Sequence, residues 1–145
     1  MVDVAFSPQY GWSGDDFRSF MGWLIKCAGG PISWGAKFQK ALALSSSESE
    51  YYGLTAAAIQ AVHIIQLCDE LGIYSDEPFL IYEDNKAAIK MSENSSNSKR
   101  TIHLDRRAHF IRSQVNQHII QLEYCPTKEM EADAMTKMLP RPAFE

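Results

Sequence analysis

Apolar residues recur at helical spacing from residue 47 to residue 71, and Gly72 follows where a left-handed residue would close such a helix. A helix this long must bury one face, so its neighbours decide the fold. Three strand-like stretches precede it: residues 1–6, then RSFMGWLIKC (18–27), then PISWGAKFQKALAL, entered through a turn at Gly29-Gly30-Pro31. After it come FLIYE (79–83) as a strand, a short helix from Asp84 to Met91 and a polar loop over 92–98. A helix over 102–117, a strand IIQLEY (119–124), a turn over 125–128 and a last helix over 130–139 complete the chain. Three hairpin strands followed by alternating helix and strand predict a mixed α/β sheet flanked by helices. With no internal repeat or linker, residues 1–145 read as a single domain.

Composition narrows the function classes. No apolar run approaches the ~20 residues that span a bilayer, so a soluble protein with no membrane partner is expected. Cys27, Cys68 and Cys125 are odd in number and far apart, which suits a reducing compartment better than a disulfide framework or a zinc site. Met1 leads directly into strand-like residues with no signal-peptide pattern, so the location is read as intracellular. A net charge of −4 argues against holding nucleic acid by bulk electrostatics. The segment with Lys99, Arg100, Arg106, Arg107 and Arg112 against Asp105 is nevertheless locally basic, either a nucleic-acid contact or a solvated helix face.

The helix start, SSSESEYYGL, carries two glutamates. Either can close a capping box, Ser45 with Glu48 or Ser47 with Glu50. At ~100° per residue, Glu50 shares an arc with Leu54, Ala57, Ala61, Ile65 and Cys68, the core side, while Glu48 falls with Tyr52, Ile59 and Gln66 and is expected to face water. A carboxylate aimed at the buried side costs several kcal/mol unless a positive charge meets it, so Glu50 asks for a cation. Asp84 has two readings: an N-cap, or a ligand at the C-terminal end of a strand, where ligands collect in α/β sheets. Asp3 is an aspartate inside a short apolar strand, a position it fits poorly. Asp133 shares its helix with Glu129 and Glu131 and has no local distinction.

Four stretches together resemble the ribonuclease H domain of copia-type (Pseudoviridae-like) LTR retrotransposon Pol polyproteins. GGPISWGAKFQKALALSSSESEYYGL resembles its strand–turn–strand and S-S-x-E-x-E-Y helix start, and YEDNKAAI its Y-x-D-N-x-x-A-I element. RTIHLDRRAHFIR resembles its R-T-x-H-x-D-x-R-x-H-F-I-R helix, and IIQLEYCPTKEMEADAMTKMLPRPAFE its closing strand, A-D-x-x-T-K and L-P-R run. Any one match is weak. Their common order and spacing make the signal specific.

The resemblance implies an RNase H-like fold with a mixed five-stranded sheet, and a site of Asp3, Glu50, Asp84 and Asp133. It selects Glu50 over Glu48, as the helical arc does. Converging acids repel one another unless divalent ions neutralise them. The implied cofactor is two Mg²⁺ ions, with Mn²⁺ as substitute: one helps generate the attacking hydroxide, the other stabilises the leaving 3′ oxygen. Asp3 would bridge both ions, Glu50 and Asp84 serving one and Asp133 the other. The implied substrate is the RNA strand of an RNA·DNA hybrid, during reverse transcription in a cytoplasmic virus-like particle. The implied partner is the reverse transcriptase domain of the same polyprotein. Ser46, Ser47 and Asn85 are candidates for 2′-hydroxyl contacts, caps and turns being their other reading. Lys99, Arg100, Arg106 and Arg107 are candidates for phosphates.

The sequence also departs from the pattern. Cellular relatives carry a histidine before the last acidic helix, where this chain has CPTKE. His103 and His109, six apart, share no helix face and receive no catalytic role. Val4-Ala5-Phe6 stands where the family has Ala-Asp-Trp, Phe20-Met21 replaces a small polar pair, and the strand before Asp3 reads as trimmed from a longer chain. Two rivals follow. An integrase or transposase of this fold would carry its glutamate on a late helix, and a degenerate copy would bind hybrid or support a reverse transcriptase without cutting.

Overall fold

In the computed structural model, which describes residues 2–7, 20–39, 46–93 and 102–136, alternating residues form an antiparallel meander of β1 (Val2–Ser7), β2 (Phe20–Cys27) and β3 (Gly30–Phe38). The β2–β3 turn is made by Ala28 and Gly29, both at positive φ (50° and 82°), so Gly30 and Pro31 begin the strand instead of forming the turn expected of them. Pro31 is tolerated because β3 is an edge strand, and the pairing register shifts beside it, between Ile25 and Lys26. The helix α1 (Ser46–Glu70) then returns the chain to β4 (Phe79–Glu83), which pairs parallel to β1. Helices α2 (Lys86–Glu93) and α3 (Ile102–Asn116) lead to β5 (Ile120–Tyr124), parallel to β4. The sheet order is β3-β2-β1-β4-β5. Strand β1 lies at its centre.

Both long helices end by the same physical device. The N–H groups of Gly72 and Ile73 donate to the carbonyls of Asp69 and Cys68, with Gly72 at φ 73°. His118, at φ 55°, and Ile119 repeat the arrangement on Val115 and Gln114.

Helix α1 owes its seat to small residues. Ala57, Ala58 and Ala61 meet Ile25, Ile81 and Ile120 of the sheet, with Leu54 between and Ile111 of α3 and Ala88 of α2 at the flanks. Each buried isoleucine contributes about 1.5–3 kcal/mol, and the alanines let the helix lie close. On the other face, Leu24, Tyr82 and Cys125 pack on Met130 and Ala132.

That second layer corrects an expectation. Instead of a helix over 130–139, the described chain makes two 3₁₀ turns, Thr127–Glu129 and Glu131–Met135, separated by Met130 in an extended conformation (φ −78°, ψ 97°). Residues 137–139 lie outside the described residues. Gly22 of β2 admits the second turn: a Cβ there would stand 2.7 Å from Thr136 Cγ2 and 2.8 Å from Met135 Cβ. Gly22→Ala should therefore lower stability by about 1–3 kcal/mol, the usual cost of overpacking. A thermal melt checks this, and an unchanged midpoint would contradict the close approach.

Candidate metal centre

Strand β1 is the meeting place of the site. Helix α1, strand β4 and the Glu131–Met135 turn all contact it; α1 carries Glu50, the turn carries Asp133, and Asp84 follows directly on β4. Asp3 belongs to β1 itself, its backbone paired across to Leu24 on one side and Tyr82 on the other. The side chain of Asp3 lies outside the described residues, as do those of Ser46, Ser47 and His103 and the whole of Lys99 and Arg100.

Among the described residues, Glu50, Glu83 and Asp84 each offer a carboxylate oxygen within 4.8 Å of the others. Glu50 is 8% exposed, as its place on the apolar arc of α1 requires, and Glu83 only 1%. Glu83 had no part in the sequence reading, yet it alternates with Phe79 and Ile81 along β4 and so falls on the face that α1 covers. Asp133 is 6% exposed on the opposite layer and is not in this group of three. The pleat separates Glu83 from Tyr82, and Asp84, next after the strand, accepts a 2.8 Å hydrogen bond from the Thr127 hydroxyl. Thr127 was also missed, because the loop CPTKE carries no sequence signal of its own.

Local hydrogen bonding resolves the double reading of Asp84. The cap of α2 is Asn85, whose Oδ1 accepts from the N–H groups of Ala87 (2.9 Å) and Ala88 (3.2 Å). Asp84 is thus released from capping, and α2 starts at Lys86 instead of Asp84. Asn85 serves as cap, the structural alternative to a substrate contact. Its own N–H donates to Glu83 Oε1 at 3.1 Å. Replacing Asn85 with alanine should cost about 1 kcal/mol of stability in a denaturant melt. No loss would refute the cap.

Glu48 does not face water. It is 7% exposed, and its Oε1 accepts the Tyr52 hydroxyl at 2.8 Å. A helical arc assumes one covered face, but the first turns of α1 are enclosed on several sides. Gln39, at the end of β3, donates to the Ser49 carbonyl (2.8 Å) and accepts the Ser49 hydroxyl (3.2 Å), while the Arg107 guanidinium stacks 4.0 Å from the centre of the Tyr52 ring. Arg106 and Arg107 line a cleft of about 400 Å³ with Lys37, Phe38 and Tyr52, between β3, α1 and α3. None of the three clustered carboxylates lines it. His109 is exposed on α3.

Burial pushes the Glu83 carboxyl up from 4.5 to about 8, with the Asn85 N–H holding it down and the adjacent Asp84 charge adding to the rise. Without a cation, burial favours its neutral form near pH 7. Between about pH 4.5 and 8 the unfolded chain has lost this proton while the folded chain keeps it, so the metal-free protein should lose stability as pH rises through that window. Denaturant melts in chelator at pH 5 and pH 8 check the sign, and Glu83→Gln should flatten the slope. A metal-free protein whose Glu83 contribution grows with pH would contradict this burial.

No protein-family model matches the chain. It is 37% identical over 131 residues, 90% of its length, to the retrovirus-related Pol polyprotein from transposon TNT 1-94 of Nicotiana tabacum. It is 35% identical over 136 residues to those from transposons RE2 and RE1 of Arabidopsis thaliana. The chain spans about a tenth of the length of these relatives. Among solved structures, LC11-RNase H1 in complex with RNA/DNA hybrid aligns at TM-score 0.61 and 13% identity, covering 99% of this chain and 96% of that one. RNase H1 from the archaeon Halobacterium salinarum NRC-1 aligns at 0.55 and 17%, covering 92% and 89%. These likenesses show an RNase H-like fold.

Proposed function

Because the chain is a homologue of the retrovirus-related Pol polyproteins of plant transposons, matching one segment of them, we propose that it is a ribonuclease H domain. It hydrolyses the RNA strand of RNA·DNA hybrids within a polyprotein that also carries a reverse transcriptase. The observation that carries this reading is the gathering of Glu50 and Asp84 at the C-terminal end of β4 in an RNase H-like fold, the end of a parallel strand where ligands bind. A neighbour of the same fold was solved in complex with RNA/DNA hybrid, which supports the substrate class.

The donor set fits a hard divalent cation. It is made of carboxylate oxygen alone, and two of its three acids, Glu50 and Glu83, are buried. Asp3, Glu50, Asp84 and Asp133 would hold Mg²⁺ or Mn²⁺, as two ions. Bound there, the ions supply the charge that activates a water and neutralises the departing 3′ oxygen. The chain's own residues do the positioning. Thr127 fixes the Asp84 carboxylate, the Asn85 cap keeps Asp84 outside α2, and the Gln39–Ser49 pair anchors the turn of α1 that carries Glu50. Arg106, Arg107 and Lys37 present cations around one cleft, where they would meet hybrid phosphates, Arg107 with its face stacked on Tyr52 and its edge left to donate.

Hydrolysis of a labelled RNA·DNA hybrid with Mg²⁺ or Mn²⁺ tests the proposal. The wild type should cut the RNA strand, and Asp84→Asn should slow it by about a hundredfold or more, equivalent to about 3 kcal/mol of barrier. Thr127→Val, which removes only the orienting hydrogen bond, should cost about 10–100-fold. A wild type that leaves the hybrid intact with both metals, or an Asp84→Asn variant that cuts as fast, would establish the non-cleaving module instead.

A further inference from the structure

Glu83 is anomalous on its own terms. One of its oxygens accepts the N–H of Asn85, a local turn bond that glutamine would make equally well without placing an acid in the interior. The other, Oε2, is buried and finds no hydrogen-bond partner among the described residues. The residue occupies the inward position that Ile81 occupies one alternation earlier, beneath α1, where an apolar side chain would pack at no electrostatic cost. Its carboxylate is nonetheless within 4.8 Å of oxygens from both Glu50 and Asp84. Acids packed this closely in a dry setting must either keep a proton or hold a cation between them.

Resting on the nuclease reading above, we propose that Glu83 is a further divalent-cation ligand, taking an oxygen-preferring ion jointly with Glu50 and Asp84. Three carboxylates from one helix and one strand end then give the site enough protein-derived charge to load an ion before any nucleic-acid phosphate arrives. Helix α1 supplies one donor, and β4 with its following residue supplies two adjacent ones. The ion that suits this set is Mg²⁺ or Mn²⁺, because every donor is a carboxylate oxygen and neither sulfur nor imidazole lies among them.

Calorimetric titration of MnCl₂ into the protein, with no nucleic acid present, tests this independently of catalysis. The wild type should bind Mn²⁺, and Glu83→Gln should weaken that binding by at least about tenfold, the least that losing even an orienting partner of a metal ligand costs. Glu83→Leu, which keeps the position buried and apolar, serves as the second variant should glutamine disturb folding. Both variants should melt in chelator no lower than the wild type, while gaining less from added Mn²⁺. Glu131→Gln, at an exposed acid paired with Lys26, should bind as the wild type does. Unchanged Mn²⁺ affinity in Glu83→Gln and Glu83→Leu, or a wild type that binds none without nucleic acid, would overturn the assignment. Continued hybrid hydrolysis alongside that result would sink only the role of Glu83, whereas loss of hydrolysis in the wild type would sink the nuclease reading itself.

Discussion

Everything distinctive about this chain follows from carboxylates being held together where water is scarce. Glu50 and Glu83 are both buried, and with Asp84 they bring three oxygens within 4.8 Å. In an interior of low effective dielectric such a group resists ionisation, the direction in which burial moves the Glu83 carboxyl, or gathers cations. The surrounding structure opposes the acids' separation. The alanines of α1 press that helix onto the sheet, Thr127 holds Asp84 from the opposite layer, and Asn85 takes over the capping that would otherwise occupy it.

The two layers reach β1 by different means. On one side a long amphipathic helix buries apolar area against Ile25, Ile81 and Ile120. On the other, Gly22 gives up its side chain so that a short 3₁₀ turn carrying Asp133 can rest on β2. The first contact is a continuous apolar face that includes the fully buried Ala57, Ala58 and Ala61. The second includes a close approach at Gly22, where Thr136 and Met135 come within 2.7 and 2.8 Å of where a Cβ would stand.

Much of this arrangement was legible in the residues, and the failures are physical. Strand and helix periods located β4, α1 and α3 within a residue or two, and the helical arc placed Glu50 on the buried side. The same arc misplaced Glu48, because it takes no account of Gln39, Tyr52 and Arg107 closing over the start of the helix. Over its described residues the last helix is instead a 3₁₀ turn, since the polar and apolar spacing gave no sign that Met130 is extended between two short turns. Glu83 carried a readable signal in its alternation with Phe79 and Ile81. It was passed over because an acid at a strand end looks like the edge of the apolar run.

Anomalous diffraction from crystals of this chain grown with Mn²⁺ bears most directly on the claim that these carboxylates form a cation site. A manganese peak within about 2.5 Å of carboxylate oxygens from both Glu50 and Asp84 is the result the geometry predicts. Manganese bound elsewhere on the protein, with Glu50 and Asp84 touching only protein atoms, would contradict it.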